Sequence, residues 1–336
     1  MKNLAIIGAG GWGTALSIRL AQSTERIRLW VYEPELCESL AKTRVNDLYL
    51  PGFFIPENVE PTTDLATALE GAEVVLTVVP SHHVRSIYEQ MLRVLCRPSD
   101  GERLFVSATK GLESDTLLRM SQVIDETLRP HFHPRIAVLS GPTFAREVGR
   151  GSPAAVVIAS ADEDLARLLQ KRFSNSAFRL YTNTDVTGVE IGGSVKNVIA
   201  IAAGVSDGLG LGSNAIAALI TRGLSEITRL ACACGARRET LAGLAGLGDL
   251  VLTCTGALSR NRTVGVELGR GRSLPEILQS MRTVAEGINT TAATLQLAKQ
   301  KGVEMPITEQ MYALLYHQCS PQDTVRKLME RTLRPE

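Results

Sequence analysis

The feature that most constrains this chain is the run Gly8-Ala9-Gly10-Gly11-Trp12-Gly13, which closes a strand pattern at residues 4–8 and opens a helical one at 12–23. Glycines at such a junction let the backbone turn tightly, and they leave the first N–H groups of the helix free to face an anion. A second strand pattern at 27–31 follows the turn. Strand, glycine turn, helix and strand in that order, with the second strand ending about twenty residues past the last glycine, is the spacing of a βαβ unit that holds a dinucleotide pyrophosphate. Gly8, Gly10, Gly11, Trp12 and Gly13 are therefore candidate cofactor contacts. A glycine-rich turn that holds no ligand is the plainer alternative.

The second strand runs out at Tyr32-Glu33. An acidic side chain there accepts hydrogen bonds from a ribose 2′-hydroxyl and repels a 2′-phosphate, so Tyr32 and Glu33 join the cofactor set and favour NAD over NADP. Pro34 follows directly, and a solvated loop glutamate is the competing reading.

Further apolar, β-branched runs at 74–79, 104–108, 136–139 and 154–159 alternate with helical patterns, as in a parallel sheet covered on both faces. From about residue 189 the pattern changes to long helical segments rich in small residues, at 189–205, 213–234 and 287–301, with loops expected at 206–212 and 244–262. The expected fold is α/β: a Rossmann-type doubly wound sheet over residues 1–187, then an all-helical domain over 188–336. A length of 336 residues suits two domains, and 44% hydrophobic against 21% charged residues suits well-packed ones. The net charge of +1 supplies no global field for nucleic acid or an anionic membrane, so an anion must be held by a local cluster. The six cysteines show no CxxC pair, which fits a reducing compartment, and no metal site is expected. The apolar start is too short and too glycine-bounded for a signal peptide, and no membrane-length apolar run stands out. A cytoplasmic protein is expected, and its helical domain could pair two subunits.

Three clusters carry candidate chemistry. Lys196 interrupts the apolar segment 189–205. On a helical projection its face carries Val189, Gly192, Gly193, Ala200 and Ala203, with Ile191, Val195, Val198, Ala202 and Val205 opposite. A lysine among such small side chains has room for a ligand beside it, and partial desolvation would suit it to proton exchange near neutral pH. A snorkelling lysine over close-packed helices is the alternative. Thr109-Lys110-Gly111 follows the strand at 104–108, at the sheet edge where open α/β folds bind ligands. The segment from Gly246-Leu247-Gly248-Asp249 to Ser259-Arg260-Asn261-Arg262 sets hydroxyl, guanidinium and amide donors together, a group suited to a phosphate. Spacing does not choose between Arg260 and Arg262.

Several longer motifs run through the whole chain: GAGGWGTAL at 8–16, YLPG at 49–52, SATKGLE at 107–113, LSGPTFA at 139–145, GVEIGGSVKNVIAIAAG at 188–204, GLGDLVLTCT at 246–255, SRN at 259–261, and the segment 284–291. Together they resemble the bacterial NAD(P)-dependent sn-glycerol-3-phosphate dehydrogenases. The resemblance implies hydride transfer between a nicotinamide and C2 of dihydroxyacetone phosphate, in the service of phospholipid synthesis. It implies that Lys196 exchanges the proton, that Lys110 touches both substrate and cofactor, and that Asp249 assists. It implies substrate contacts at Gly141, Thr143, Asp249, Ser259, Arg260 and Asn261, with Asn197 and Thr253 assisting. Gly11, Trp12, Ala145, Val284 and Glu286 would touch the nucleotide, and Arg260 would touch both ligands. Many members carry a basic or imidazole side chain where this chain has Tyr32-Glu33, a departure that also argues against strong NADP use. The competing functions are a related two-domain reductase of the 6-phosphogluconate or ketopantoate type, and a non-catalytic NAD(H)-binding regulator. The first would share the Rossmann unit but not the 246–255 and 259–261 motifs, and the second would need neither Lys196 nor the anion cluster.

Overall fold

The structure, a computed structural model, describes residues 1–95, 102–281 and 285–332. The chain divides into two compact units, one of Met1–Lys110 with Leu118–Glu190 and one of Gly111–Leu117 with Ile191–Glu336.

The first unit begins β1 (Asn3–Ile7), α1 (Gly11–Leu20), β2 (Arg26–Trp30), α2 (Pro34–Thr43), then a two-stranded ribbon of β3 (Val45–Asn46) and β4 (Leu50–Phe54). It continues β5 (Val59–Thr62), α3 (Leu65–Leu69), β6 (Val74–Thr77), α4 (Val84–Leu92), β7 (Leu104–Ser107), α5 (Met120–Leu128) and β8 (Arg135–Ser140). Then come α6 (Ala145–Arg150), β9 (Ala154–Ala159), α7 (Glu163–Phe173) and β10 (Phe178–Asn183). Eight strands form one sheet in the order β10-β9-β8-β7-β6-β1-β2-β5. From β5 to β8 every neighbouring pair is parallel, with the strand order of two dinucleotide-binding halves that diverge from β1 and β6.

The residues of β1 show why the sheet is covered on both sides. Leu4 and Ile6 enter one apolar cluster with Leu16 and Leu20 of α1 and Leu40 of α2, while Ala5 and Ile7 enter another with Tyr88 of α4 and Ile124 of α5. Side chains alternate across a strand, so a strand apolar from Leu4 through Ile7 needs helices over both faces. β9 departs from the parallel expectation. Its connection from β8 holds only the six-residue α6, and it returns antiparallel, with β10 parallel to it in turn.

The second unit is helical: α8 (Val186–Gly208, shared with the end of the first unit), α9 (Gly212–Ala233), α10 (Arg238–Leu241), a π-helical turn at Leu244–Gly248, and α11 (Asp249–Thr255). α12 (Arg260–Gly269), α13 (Leu274–Ser280), α14 (Gly287–Lys301), α15 (Pro306–Tyr316) and α16 (Pro321–Met329) complete it. α8 is long and apolar enough to cross a membrane by length and composition, yet the whole of its apolar window is buried in the structure.

Glycines fix how α8 meets α12. A Cβ on Gly204 would lie 2.1 Å from the Arg262 carbonyl oxygen, and one on Gly265 would lie 2.1 Å from that of Ile201. Gly208 and Gly269 repeat the contact one turn on, so the two backbones touch along a seam of glycines. The stretch expected as a loop at 244–262 is mostly helical. Its glycines serve packing: a Cβ on Gly246 would meet the Leu241 carbonyl oxygen at 2.1 Å.

Candidate functional site

The residues singled out from sequence fall into two groups, one on each unit. On the first unit they lie at the carboxyl ends of parallel strands. Gly8 follows β1 with φ +117°, and a Cβ there would strike the Val78 carbonyl oxygen at 2.6 Å. Gly13 lets α1 press on that turn, because its Cβ would overlap the Gly8 oxygen at 1.9 Å. Gly10 differs from both, since a Cβ there would meet no atom within 4 Å. The space beside Gly10 is open, and α1 starts at Gly11 with no side-chain cap and no acidic residue in its first turn. A helix start without a side-chain cap, next to a glycine with open space beside it, fits a pyrophosphate. Ala145 begins α6 close by, its Cβ 3.8 Å from where one on Gly11 would sit.

At the end of β2, Tyr32 is 77% exposed and sets its ring edge-on to Trp30. Glu33 follows as the residue before α2, with Pro34 opening that helix. The Glu33 carboxylate is not a free loop group, for Tyr49 Oη donates to its Oε1 at 2.5 Å. Burial, then the hydrogen bond to Glu33 and its charge, push the Tyr49 hydroxyl up to about 12. The Tyr49 N–H donates to Asn46 Oδ1 at 2.9 Å, and Asn46 Nδ2 donates to the Ala9 carbonyl and to Thr14 Oγ1, each at 2.8 Å. A hydrogen-bonded chain thus runs from the glycine turn through buried Asn46 and Tyr49 to Glu33. Neither Asn46 nor the Tyr49 hydroxyl was read from sequence as a site group. The signals were a polar pair three residues apart after α2 and the YLPG motif that Tyr49 opens.

At the ends of β7 and β8, Lys110, Gly141 and Thr143 converge on one atom. Lys110 Nζ donates to the Gly141 carbonyl at 3.2 Å, and Thr143 Oγ1 donates to it at 3.3 Å. Gly141 has φ +145°, and a Cβ on it would lie 2.9 Å from Val156 Cα, so the position admits only glycine.

On the second unit, Lys196 is buried in α8 and donates to an Asp249 carboxylate oxygen and, at 2.7 Å, to Thr253 Oγ1. The Thr253 hydroxyl donates onward to the Asp249 carbonyl at 2.6 Å. Asp249 is fully buried at the start of α11, directly after the π-helical turn, a backbone irregularity that recurs at functional sites. Burial pushes the neighbouring Cys254 thiol up to about 12, which leaves it an inert packing group. One expectation needs correcting. The small residues beside Lys196 do not all leave room: a Cβ on Gly192 would meet the Ala245 carbonyl at 2.8 Å, and Ala200 and Ala203 are fully buried. At Gly192 the vacancy expected from the projection is filled by backbone from a distant segment.

Ser259 caps α12, its Oγ accepting from the Arg262 N–H at 3.2 Å while its own proton stays available to donate. Arg260, at the first position of α12, is exposed and has no hydrogen-bond or ion-pair partner among the described residues, whereas Arg262 is paired with Asp207 at 2.8 Å. Asn261 Oδ1 accepts from the Gly287 N–H at 2.9 Å, so its amide nitrogen is the end left for a ligand. A Cβ on Gly287 would lie 2.9 Å from the Asn197 carbonyl oxygen, which ties Asn197 to the starts of α12 and α14. Glu286 directly precedes α14. Val284 lies outside the described residues. Among those described, no group of three or more His, Cys, Asp or Glu side chains is placed to hold a metal ion.

Comparison with known proteins matches residues 3–166 to the N-terminal model of the NAD-dependent glycerol-3-phosphate dehydrogenases and residues 185–326 to their C-terminal model. A glycerol-3-phosphate dehydrogenase, NAD(P)+, of Koribacter versatilis is 59% identical over 98% of this chain and 98% of its own. Another of that name, from a Geobacter species, is 53% identical over 100% of this chain and 99% of its own. The crystal structure of the Coxiella burnetii glycerol-3-phosphate dehydrogenase superposes with a TM-score of 0.93 at 42% identity, covering 98% of this chain and 99% of that one.

Proposed function

From the premise that this chain belongs to the NAD-dependent glycerol-3-phosphate dehydrogenase family, we propose a role for each residue of its two groups. The chain is an oxidoreductase that interconverts sn-glycerol 3-phosphate and dihydroxyacetone phosphate with NAD(H) or NADP(H). When bound, the nicotinamide supplies the hydride chemistry, and the protein contributes position and charge.

The observation that carries the reading is the buried Lys196 ammonium, held by Asp249 and Thr253. In ketone reduction Lys196 gives a proton to the C2 oxygen, and in alcohol oxidation it takes that proton back. Asp249 balances the ammonium in a site where an isolated charge would be costly, and with Thr253 it fixes the position of the Lys196 Nζ. Lys110, anchored at Gly141, polarises the same carbonyl. The phosphate dianion is held by the Arg260 guanidinium, the Asn261 amide and the Ser259 hydroxyl at the start of α12, where the helix dipole favours negative charge. Arg260 suits this better than Arg262, whose guanidinium already serves Asp207. Gly141, Thr143, Asn197 and Thr253 line the substrate. Gly8, Gly10, Gly11, Trp12, Gly13, Tyr32, Glu33, Ala145, Val284 and Glu286 hold the nucleotide, and Glu33 favours NAD(H). The working direction is ketone reduction in the cytoplasm, supplying glycerol 3-phosphate for phospholipid synthesis.

The test is the decay of NADH fluorescence when dihydroxyacetone phosphate is added to the purified protein, repeated with NADPH. Stoichiometric decay that is faster with NADH supports the reading. Saturable NADH binding without decay would show a nucleotide-binding protein that lacks this activity.

A further inference from the structure

We propose that Tyr49 is a positioning residue for nucleotide selection: its hydroxyl holds the Glu33 carboxylate in place, and this hold strengthens the preference for NAD(H) over NADP(H). The proposal rests on the reading of Glu33 as the group that meets the ribose. It concerns a residue that does the holding, not the contact itself.

A carboxylate on a flexible side chain discriminates poorly, because it can swing away from a 2′-phosphate and must give up rotamer freedom to accept from a 2′-hydroxyl. Glu33 has two sp³ torsions to restrain and stands at a strand end before a proline, where the backbone offers its carboxylate no partner. Tyr49 supplies the restraint by donating to Oε1 at 2.5 Å, which leaves Oε2 without a donor among the described residues. The phenol stays protonated, and so remains a donor, well above neutral pH.

The restraint is itself anchored. The Tyr49 N–H donates to Asn46 Oδ1, and the Asn46 amide nitrogen donates to the Ala9 carbonyl and Thr14 Oγ1, inside the glycine turn and the first turns of α1. The Tyr49 carbonyl oxygen also sits 2.9 Å from where a Cβ on Gly11 would be, so the residue is pressed against the start of that helix. Asn46 is fully buried and three of its bonds are accounted for, which makes it a rigid link. The turn that takes the pyrophosphate and the carboxylate that meets the ribose are therefore referenced to each other through one tyrosine.

The experiment is equilibrium titration of NADH and NADPH, read by nucleotide fluorescence, against the intact protein and its Y49F, E33Q and Y49F/E33Q variants. Y49F keeps the ring and removes one hydroxyl that borders a half-exposed carboxylate, so the fold is retained. Y49F should narrow the NADPH-to-NADH ratio of dissociation constants by about fivefold to tenfold, the scale of one ordinary net hydrogen bond. E33Q should narrow it at least as far, and the double variant no further than E33Q. If E33Q shifts the ratio and Y49F leaves it within about twofold, a change below half a hydrogen bond, Tyr49 does not position Glu33 and the proposal falls while the Glu33 reading stands. An equal shift from Y49F in the E33Q background also overturns it, since Tyr49 would then act without Glu33. A ratio unmoved by E33Q removes the Glu33 reading and the proposal together.

Discussion

Lys196 and Arg260 are opposite ways of keeping a cation for use. The first is buried and held by Asp249 and Thr253, and the second stands at a helix start with no partner among the described residues. Lys196→Ala should lower turnover by about 10²–10⁴-fold, the usual cost of a lost proton-transfer group, while NADH titration remains saturable. It should also lower the melting temperature, because Asp249 is left as a buried charge with its main counter-ion gone. Near-normal turnover would take the proton-transfer role away from Lys196. Arg260→Ala should leave the melting temperature unchanged and raise KM for dihydroxyacetone phosphate about 30-fold, equivalent to ~2 kcal/mol for one charge-assisted contact. An unchanged KM would place the phosphate elsewhere. Sequence made Lys196 visible, since a lysine in an apolar helix is a local anomaly, but it favoured Arg260 over Arg262 only through the family resemblance. It did not reveal their partners. The Asp249 carboxylate lies 53 residues from Lys196 and the Asn46 amide 37 from the Ala9 carbonyl, and no local pattern encodes those pairings.

Helices α8 and α12 bring the same lesson to the level of whole elements. Small residues along 189–205 signalled a special face, but periodicity does not say whether glycine clears space for a ligand or for another backbone. The structure assigns Gly192, Gly204 and Gly208 to backbone approach. The turn after β1 was legible because its strain and its helix start are encoded within a few residues. The antiparallel β9 was not, because strand direction depends on how a short connection packs. The glycine seam carries its own prediction. Gly265→Ala places a methyl 2.1 Å from the Ile201 carbonyl oxygen and 2.8 Å from the Val205 nitrogen, both backbone atoms that no rotamer change can move. Overpacking of this kind costs about 1–3 kcal/mol, so the melting temperature should fall and the start of α12 should shift, raising KM for the phosphate substrate. A variant as stable as the parent would show that the helices separate freely.

For the molecule as a whole, the buried Glu226 makes an identifiable contribution to the pH dependence of stability. Glu226 of α9 is buried and accepts from the Ile307 and Thr308 N–H groups at the start of α15 and from the Thr308 hydroxyl. Burial outweighs those bonds and the nearby Arg229 charge, and pushes the carboxyl from 4.5 up to about 7. A carboxyl with a raised value in the folded state binds its proton more tightly there than in the unfolded chain. Its contribution is therefore complete below about pH 4.5 and is lost as pH rises to about 7, for a total on the order of 3 kcal/mol. Thermal unfolding at pH 5 and pH 8 should show a larger loss at the higher pH for the parent than for Glu226→Gln, which cannot titrate. Equal pH slopes would show that Glu226 is not the source.

The seven residues Gly111–Leu117 belong with the helical unit although unit-one chain flanks them on both sides. Leu112 and Leu117 are buried in the core built from α8 onward, and Ser194 of α8 both donates to and accepts from the Gly111 backbone. Inheritance of the two units is coupled by that loop. A single genetic crossover near residue 190 would hand a new gene the nucleotide-binding unit together with a segment whose leucines have lost their core. Shuffling this module into another enzyme therefore needs a second exchange at 111–117, or substitutions that make those leucines tolerable to water.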